Sequence, residues 1–285
     1  LSATFKLSEI SPPEVSVLPS PTNPSLVQYS PDRPSGSMRE DAVRYNGRRV
    51  LRPATRIGNW ARGLDGVWRD AHGKILNVTQ KLQSGRFFNI LEPSPTDFTE
   101  DDLALGLSRE ARWGGQTNGE YPYSVAQHSL LVMEIMRSAL RISAPDQLLY
   151  GLLHDAEEGL GAKDTITGLK HVIGDTYIEI SVGIREVVHL KYDLVWPPPQ
   201  NITKRVKKAD HIAGAMEAVS LMNFKIDEYH ARIGKKVEIP SDAYDWSFLL
   251  NPWHPQDARK NFVSALKDFH CLVIDAKERK GGCGT

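Results

Sequence analysis

Four residues with metal-binding side chains stand on three helices that apolar spacing predicts. His128 belongs to the first helix, the neighbouring His154 and Asp155 to the second, and Asp210 to the third. Each lies on or beside the apolar face of its helix, where an imidazole or carboxylate without a partner is strongly unfavourable. Two imidazoles and two carboxylates suit a divalent transition-metal ion that keeps one or two positions open for water or substrate. A His-Asp pair alone also fits a hydrogen-bonded core histidine, but ligands on three separate helices favour a catalytic metal site.

Capping signals place two of these helices. Ser124 with Gln127 forms a capping-box pattern at the start of the first helix, and Asn201 is expected to cap the third. His128 is expected to point inward, because it shares a face with Leu131, Val132 and Ile135. Asp210 lies on or near one face of the third helix, together with Val206, Ala213 and Glu217. The small residues beside Asp210 allow a ligand to approach closely.

The second helix is predicted from a third capping signal. Ser143 with Asp146 is expected to open it, and the helix is predicted to run through His154 and its neighbouring aspartate. Glu158 would then lie one turn beyond His154. The helix is predicted to fray at residues 159–161, where the sequence is Gly-Leu-Gly.

Composition limits the classes of protein to which the chain can belong. With 285 residues it can bury one sizeable core plus extensions. Its 35 Lys+Arg and 35 Asp+Glu residues create no overall field that favours nucleic acid or an anionic membrane. No apolar run approaches membrane-spanning length, and residues 1–30 lack the charged-then-apolar order of a secretory signal. Because Cys271 and Cys283 are too few for a disulfide framework, we expect a cytoplasmic protein.

The first quarter of the chain differs in composition from the rest. Residues 1–37 are rich in proline and serine, with few large apolar side chains, and are expected to be disordered. Between Arg39 and Arg69 arginines predominate, which fits a solvated linker or an arm that contacts nucleic acid or another partner. No clear nucleic-acid partner follows from this pattern. We assign residues 1–70 to a largely disordered extension and residues 71–280 to the main domain.

The main domain is predicted to begin with one small β-hairpin and to continue as helices. Residues 73–92 alternate apolar and polar side chains around Ser84-Gly85, as a hairpin does. Thr99 with Asp102 forms a capping box for a helix that runs to about Arg109. Further helices are predicted over residues 175–191 and from about 256 to 277, the latter preceded by a loop that reaches Pro240.

The chain from about Gly85 to Phe269 resembles the HD-domain metal-dependent phosphohydrolases, whose signature is His, then His-Asp, then a distant Asp. The matching residues here are His128, His154-Asp155 and Asp210. Three further stretches resemble the branch that contains bacterial 5'-deoxynucleotidases and phage deoxynucleoside triphosphohydrolases: Arg112-Trp113 before YSVAQHSLLV, then HDAEE, then DTITGLK. The resemblance implies an all-α HD-domain helical bundle. It also implies that the four signature residues bind one divalent transition-metal ion, which could be Mn, Co, Zn, Fe or Ni.

The resemblance implies roles for residues outside the metal set as well. Glu158, in the HDAEE stretch, matches the family's catalytic glutamate, which orients or deprotonates the attacking water. Asp164 matches an aspartate that recognises the sugar or assists acid chemistry. Arg112 would hold a substrate phosphate, with Trp113 near the sugar or base. Lys170 stands where relatives have a basic residue close to phosphate.

The chain departs from the family pattern after the HDAEE stretch. The loop from there to Asp164 is one or two residues longer, and Gly168 replaces the usual proline before Lys170. Each proposed site residue outside the metal set also has a purely structural interpretation. Arg112 and Lys170 could be solvated cations, Trp113 a packing residue, Glu158 the ion-pair partner of Lys163, and Asp164 a cap.

Hydrolysis of a nucleotide is the function that these features predict. The substrate would be a deoxynucleoside mono- or triphosphate, hydrolysed at a phosphate ester or anhydride with help from the ion. Two alternatives stay open at this stage. One is a dinuclear iron oxygenase on the same bundle, which would recruit His171 and His189, and the other is a binding or scaffold protein with a structural metal. We expect a homo-oligomer without a membrane partner.

Overall fold

The computed structural model describes residues 42–45, 48–51, 56–57, 59–165, 169, 172–240 and 244–281. Within these ranges the chain is mostly helical, and its strands all lie before residue 90. None of the helices in these ranges combines the length and apolar character that a membrane crossing requires. The assignment of residues 1–37 to a disordered segment lies outside the described part of the chain.

The strands pair only with their neighbours in sequence. β1 (Ala42–Tyr45) and β2 (Arg48–Leu51) form one antiparallel pair. β3 (Arg56–Ile57), β4 (Trp60–Arg62) and β5 (Trp68–Arg69) form a three-stranded antiparallel sheet. β6 (Thr79–Lys81) and β7 (Phe87–Asn89) form the hairpin predicted around Ser84-Gly85, with Lys81 opposite Phe87. The prediction of a small N-terminal β-hairpin region is therefore confirmed.

The first five strands lie in the segment that the sequence analysis assigns to a largely disordered extension. Ile57 and Trp68 are buried there and form a small apolar cluster with Leu91, which follows the hairpin. The arginine-rich composition conceals this cluster, because strands of two to four residues are too short to show a clear alternation.

The helices have the following bounds in chain order: α1 (Glu100–Arg109), α2 (Val125–Glu134), α3 (Pro145–Leu152), α4 (Asp175–Lys191), α5 (Gln200–Leu221), α6 (Ile226–Ile233), α7 (Ser247–Leu250) and α8 (Pro255–Gly281). A 3₁₀ helix spans Arg112–Gly115, and a π-helical turn, Ile135–Ala139, continues α2. A second 3₁₀ helix spans Ala156–Leu160. The predicted helices over 175–191 and from 256 are confirmed. α6 lies in the segment predicted as a loop that reaches Pro240, and α7 lies after it, where no element was predicted.

The predicted caps are only partly present. The capping box at α1 is complete, because Thr99 Oγ1 accepts from the Asp102 N–H at 3.1 Å and the Asp102 carboxylate accepts from the Thr99 N–H at 2.9 Å. At α2, Ser124 caps the Gln127 N–H at 3.2 Å, but the Gln127 amide donates to the carbonyl oxygen of Leu249 instead of returning to the cap. The predicted caps of the next two ligand-bearing segments are wrong. Ala144 precedes α3 and Pro199 precedes α5, both without a side-chain cap.

The predicted continuous helix through His154 is also wrong. α3 ends at Leu152, and Leu153 and Asp155 have backbone angles outside the α-helical range (φ −103°, ψ 12° and φ −112°, ψ 26°). The His154 ring closes the end of the helix, because its Nδ1–H donates to the Gly151 carbonyl at 2.8 Å. The ligand pair therefore lies in a turn between α3 and the 3₁₀ helix that carries Glu158.

One apolar core holds these segments in place. Leu103 and Leu107 of α1, Leu131 of α2, and Phe262 and Leu266 of α8 are fully buried in it. The second 3₁₀ helix packs against α1 through Gly106 and Gly159.

Two glycines meet where α1 crosses that 3₁₀ helix. A Cβ atom at Gly106 would overlap the carbonyl oxygen of Gly159, and one at Gly159 would lie 2.8 Å from the Leu103 carbonyl oxygen. Only residues without a Cβ permit this approach. The contact fixes the segment that immediately follows the His154-Asp155 pair.

Replacement of Gly106 by alanine should destabilise the fold. We expect Gly106→Ala to lower the free energy of unfolding by about 1–3 kcal/mol, because the added methyl group forces α1 away from the 3₁₀ helix. Gly183→Ala is the matched control, since a Cβ at this helical position meets nothing within 4 Å. It should raise stability by about 0.5–1 kcal/mol. Urea unfolding followed by circular dichroism measures both, and equal stability of Gly106→Ala and the wild type would contradict the close contact.

Candidate metal centre

Three side chains from separate segments converge at one point. His128 Nε2 lies 3.2 Å from His154 Nε2 and 3.2 Å from Asp210 Oδ1, and His154 Nε2 lies 3.8 Å from the same aspartate oxygen. Within the described residues, these three side chains form a group whose ligand atoms all lie within 4.8 Å of one another and which could hold a metal ion. His128 comes from the second turn of α2, His154 from the turn after α3, and Asp210 from α5.

Asp155 extends this group on the side of His154. Its Oδ2 atom lies 3.1 Å from His154 Nε2 and 3.7 Å from His128 Nε2. Ligand atoms about 2.0–2.1 Å from a tetrahedral ion stand roughly 3.4 Å apart. The observed separations of 3.1 to 3.8 Å lie on both sides of that value. The structure thus brings His128, His154 and Asp210 together as a group that could hold an ion, with Asp155 beside the two imidazoles.

The hydrogen bonds of the two imidazoles leave both Nε2 atoms as electron-pair donors. His154 Nδ1–H donates to the Gly151 carbonyl at 2.8 Å, and His128 Nδ1–H donates to Glu217 Oε1 at 2.5 Å. Both acceptors require a proton on Nδ1, so in the neutral form of each ring Nε2 presents a lone pair. Two lone pairs 3.2 Å apart repel each other unless a proton or a metal ion lies between them. The two Nε2 atoms are therefore suited to bind a divalent cation.

Nearby carboxylates control the protonation of these imidazoles. Burial lowers the pKa of His154, but the charges of Asp155 and Asp210 outweigh it and raise this pKa to about 9. Burial also lowers the pKa of His128, and its neighbouring carboxylates raise it above the ordinary value. Conversely, burial raises the pKa of Asp155, yet the two imidazoles hold it well below its usual range. A metal ion would therefore have to displace protons from the imidazoles.

The centre is closed on one side and open on the other. The His128 side chain is fully buried, whereas the side chains of Asp155 and Asp210 are 23% and 37% exposed. Solvent therefore reaches the carboxylate side of the cluster. This asymmetry is typical of catalytic metal sites, which keep a position for water or substrate.

Arg112 and Trp113 reach the centre through a shared carboxylate. Arg112 Nε–H donates to Glu217 Oε2 at 3.0 Å, and the Trp113 indole N–H donates to the same oxygen at 2.8 Å. Arg112 Nη1 lies 3.9 Å from Asp155 Oδ2. The structure thus places both predicted substrate residues beside the ligand set, and the indole N–H of Trp113 is already occupied.

The backbone at Trp113 has an unusual conformation. Its φ of 57° and ψ of 28° lie in the left-handed region, and Gly114 and Gly115 follow with φ of 59° and 74°. This conformation costs an L-residue about 1–2 kcal/mol, so it persists only where other contacts hold it. The hydrogen bond to Glu217 is such a contact. Trp113 therefore lies in a left-handed turn, separate from α1, that directs the indole towards Glu217.

Glu217 is the site residue that the sequence analysis missed. It is fully buried on α5, seven residues after Asp210, and it accepts hydrogen bonds from His128, Arg112 and Trp113. Its presence on the face of Asp210 was the available signal, because a glutamate among alanine, glycine and methionine must have partners. Burial raises its pKa, but Arg112 and His128 lower it below the ordinary value.

Of the three other predicted site residues, the structure describes Glu158 and Asp164. Glu158 is buried in the 3₁₀ helix after the ligand pair, and its backbone N–H donates to the Asp155 carbonyl at 3.0 Å. Asp164 is half-buried, and its charge helps to raise the pKa of Arg112. Lys163, considered as a partner of Glu158, instead donates to Glu110 at 2.6 Å. Lys170 lies outside the described residues.

Of the two histidines of the dinuclear alternative, the structure describes only His189. His171 lies outside the described residues. His189 is buried, and its ring stacks against Trp196 at 5.1 Å and approaches the Tyr150 ring at 5.2 Å. Burial lowers the pKa of His189 to about 3, so it is neutral at physiological pH.

Metal binding should stabilise the protein more at high pH than at low pH. Because the pKa of His154 is raised to about 9, its proton stabilises the metal-free fold below the ordinary value of 6.5, and this contribution is lost as pH rises through about 9. A metal ion competes with that proton for His154. The stabilisation that the ion provides therefore grows as the pH rises from 6.5 to about 9. We expect Mn²⁺ or Co²⁺ to raise the melting temperature more at about pH 8.5 than at about pH 6.

Thermal unfolding with and without the ion measures this difference. His154→Ala should abolish the shift, and His72→Ala, at an exposed position outside the cluster, should retain it. Equal shifts at both pH values, or a shift that survives in His154→Ala, would mean that the ion binds elsewhere.

Comparison with known proteins identifies a relative but no activity. No protein-family profile matches the chain. An uncharacterized protein of Rhodobacter capsulatus is 39% identical over 156 residues, which cover 55% of this chain and 79% of that protein. Identity at this level over most of the relative indicates common descent. The chain therefore belongs to the same protein family as this Rhodobacter capsulatus protein.

Proposed function

We propose that this chain is an HD-domain metal-dependent phosphohydrolase that releases phosphate or polyphosphate from a nucleotide. The observation that carries the proposal is the convergence of His128, His154 and Asp210, with Asp155 beside the two imidazoles. The cluster is open to solvent on the carboxylate side and flanked by a guanidinium. A divalent ion held by these residues would activate a water molecule and polarise a phosphoryl oxygen. The order of the four residues along the chain matches the signature of that superfamily.

Arg112 supplies the phosphate-binding group in this proposal. Its Nε–H is held by Glu217, which orients the guanidinium so that Nη1 approaches the Asp155 carboxylate. The other N–H groups of the fork can donate to two nonbridging oxygens of one phosphate. Burial lowers the pKa of Arg112, but Glu217, Asp155 and Asp164 raise it above the ordinary value, so its charge is permanent.

Glu158 is proposed as the group that orients the attacking water and accepts its proton. It follows the ligand pair by three residues and is held by a 3₁₀ helix that begins directly after Asp155. Its side chain is buried, and a carboxylate within hydrogen-bond reach of the water can accept the proton that the water loses. Asp164, whose charge acts on Arg112, is proposed to contact the sugar or assist the acid step.

A deoxynucleotide is the proposed substrate. Trp113 stands next to Arg112 in the chain, and its ring lies 6.3 Å from that of Phe224. With its N–H occupied by Glu217, the indole can offer substrate only its apolar surface. A sugar or base placed against this surface would lie next to the phosphate held by Arg112. Lys170 is proposed to approach the phosphate from the segment outside the described residues.

A substrate screen tests the reaction class. The purified full chain, loaded with Mn²⁺ or Co²⁺, should release inorganic phosphate from deoxynucleoside monophosphates or tripolyphosphate from deoxynucleoside triphosphates, as resolved by chromatography. Removal of the ion with a chelator should abolish turnover, and re-addition should restore it. Lack of turnover on every ribo- and deoxyribonucleotide, or turnover that persists without metal, would overturn the proposal.

Replacement of Glu158 by glutamine should separate metal binding from catalysis. We expect the variant to retain the ion and lose about 10²- to 10⁴-fold in kcat, because the amide cannot accept the proton of the water. Glu134→Gln is the matched control, since Glu134 is a buried carboxylate that pairs with Arg137 outside the cluster. Steady-state kinetics measure kcat, and a parallel metal assay measures the bound ion. Full activity of Glu158→Gln would exclude Glu158 as the acceptor of the proton.

Replacement of Arg112 by alanine should weaken the binding of substrate. The lost charged hydrogen bonds should raise KM by about 10- to 100-fold with the ion retained. If the KM of Arg112→Ala matched that of the wild type, the assigned phosphate contact would be wrong.

A further inference from the structure

Glu217 links two parts of the site that are separate in sequence. It is fully buried, and its carboxylate accepts from His128 Nδ1–H, Arg112 Nε–H and the Trp113 indole N–H. A carboxylate removed from water is unfavourable unless charged or polar donors replace its hydration. Here all three donors belong to residues of the candidate centre.

The two oxygens of Glu217 have different partners. Oε1 receives the imidazole proton of His128, which leaves Nε2 of that ring as the metal-binding atom. Oε2 receives Arg112 and Trp113, at 3.0 and 2.8 Å. One oxygen therefore faces a predicted metal ligand, and the other faces the predicted substrate-binding pair.

The surroundings of Glu217 leave it little freedom to move. Ala213 and Ala218 beside it on α5 are fully buried, and a Cβ atom at Gly214 would lie 2.9 Å from the hydroxyl of Tyr229 on α6. Close packing of this kind restricts the conformations that a buried side chain can adopt. Both partner groups of Glu217 therefore depend on one carboxylate whose position is constrained.

We propose that Glu217 is a positioning residue that couples the metal centre to the phosphate-binding Arg112. It fixes the tautomer of His128 and the orientation of the Arg112 guanidinium at the same time. The metal part of this inference stands on the geometry alone, whereas the phosphate part rests on the proposed function. Loss of the carboxylate should therefore weaken two binding events, although Glu217 is expected to contact neither the ion nor the substrate.

Glutamine is the discriminating replacement because it has the same shape but only one acceptor oxygen. If the amide oxygen faces Arg112 and Trp113, its NH₂ group faces His128 Nδ1 and requires that nitrogen to be an acceptor. The proton then moves to Nε2, which can no longer bind metal. If the oxygen faces His128, the NH₂ group meets the N–H groups of Arg112 and Trp113. Neither orientation satisfies both sides.

Two binding measurements on the full chain test the coupling. By calorimetric titration, Glu217→Gln should bind Mn²⁺ about 10- to 100-fold more weakly than the wild type, which is the usual effect of losing the carboxylate behind a ligating histidine. With saturating Mn²⁺, it should also bind inorganic phosphate at least about 10-fold more weakly, an effect comparable to the loss of one charged hydrogen bond. Glu134→Gln should match the wild type in both. Wild-type affinities for Mn²⁺ and phosphate in Glu217→Gln would overturn the proposal.

A double-mutant cycle separates coupling from a general structural effect. If Glu217 acts on phosphate through Arg112, the losses in Glu217→Gln and Arg112→Ala should not add in the double variant. Additive losses would mean that Glu217 acts independently of Arg112 and would refute the coupling. If Glu217→Gln fails to fold, Glu217→Asp keeps the charge with a shorter side chain and should show smaller losses in both affinities.

These measurements do not depend on turnover. A wild-type chain that binds Mn²⁺ and phosphate but hydrolyses no nucleotide would refute the proposed function, while the Mn²⁺ and phosphate affinities of the variants would still decide the role of Glu217. If Mn²⁺-loaded wild type binds phosphate no more tightly than Arg112→Ala does, the phosphate part of the coupling is wrong.

Discussion

The approach of two imidazole nitrogens determines the rest of the centre. Nε2 of His128 and Nε2 of His154 lie 3.2 Å apart with both Nδ1–H groups committed to other acceptors. Two electron pairs at this separation are unfavourable without a cation between them. The aspartates around the two rings balance the charge of a proton or an ion held there, and Arg112 pairs with the carboxylates of Glu217 and Asp155. A cluster of this type is costly for stability when empty and becomes favourable when an ion binds.

The turn after α3 shows how packing overrides local helix preference. Residues 150–158 contain strong helix formers, and the sequence alone predicts a continuous helix through His154. The contact between Gly106 and Gly159 and the hydrogen bond from His154 to Gly151 involve groups that local propensity does not take into account. Because the helix stops at Leu152, His154 and its neighbour Asp155 can both reach one point. On a continuous helix they would be rotated by about 100° from each other.

The sequence predicts the ligands better than it predicts their supports. Helical spacing identified His128 and Asp210 because α2 and α5 are regular helices with apolar faces. The same spacing places Glu217 on the face of Asp210 but does not identify its partners, since His128 lies 89 positions away and Arg112 lies 105 positions away. The short strands before residue 70 escaped prediction for a related reason. Their stability depends on the burial of Ile57 and Trp68 against Leu91, which is a tertiary contact.

The long separations along the chain also bear on folding. The centre requires α2, the turn after α3 and α5 to be in place together, and no subset of two segments brings a complete ligand set. Closing loops of this length carries an entropic penalty that the last contacts must offset. The ligand cluster is therefore complete only in the fully folded chain. An ion bound there would stabilise the fully folded chain rather than any single local element.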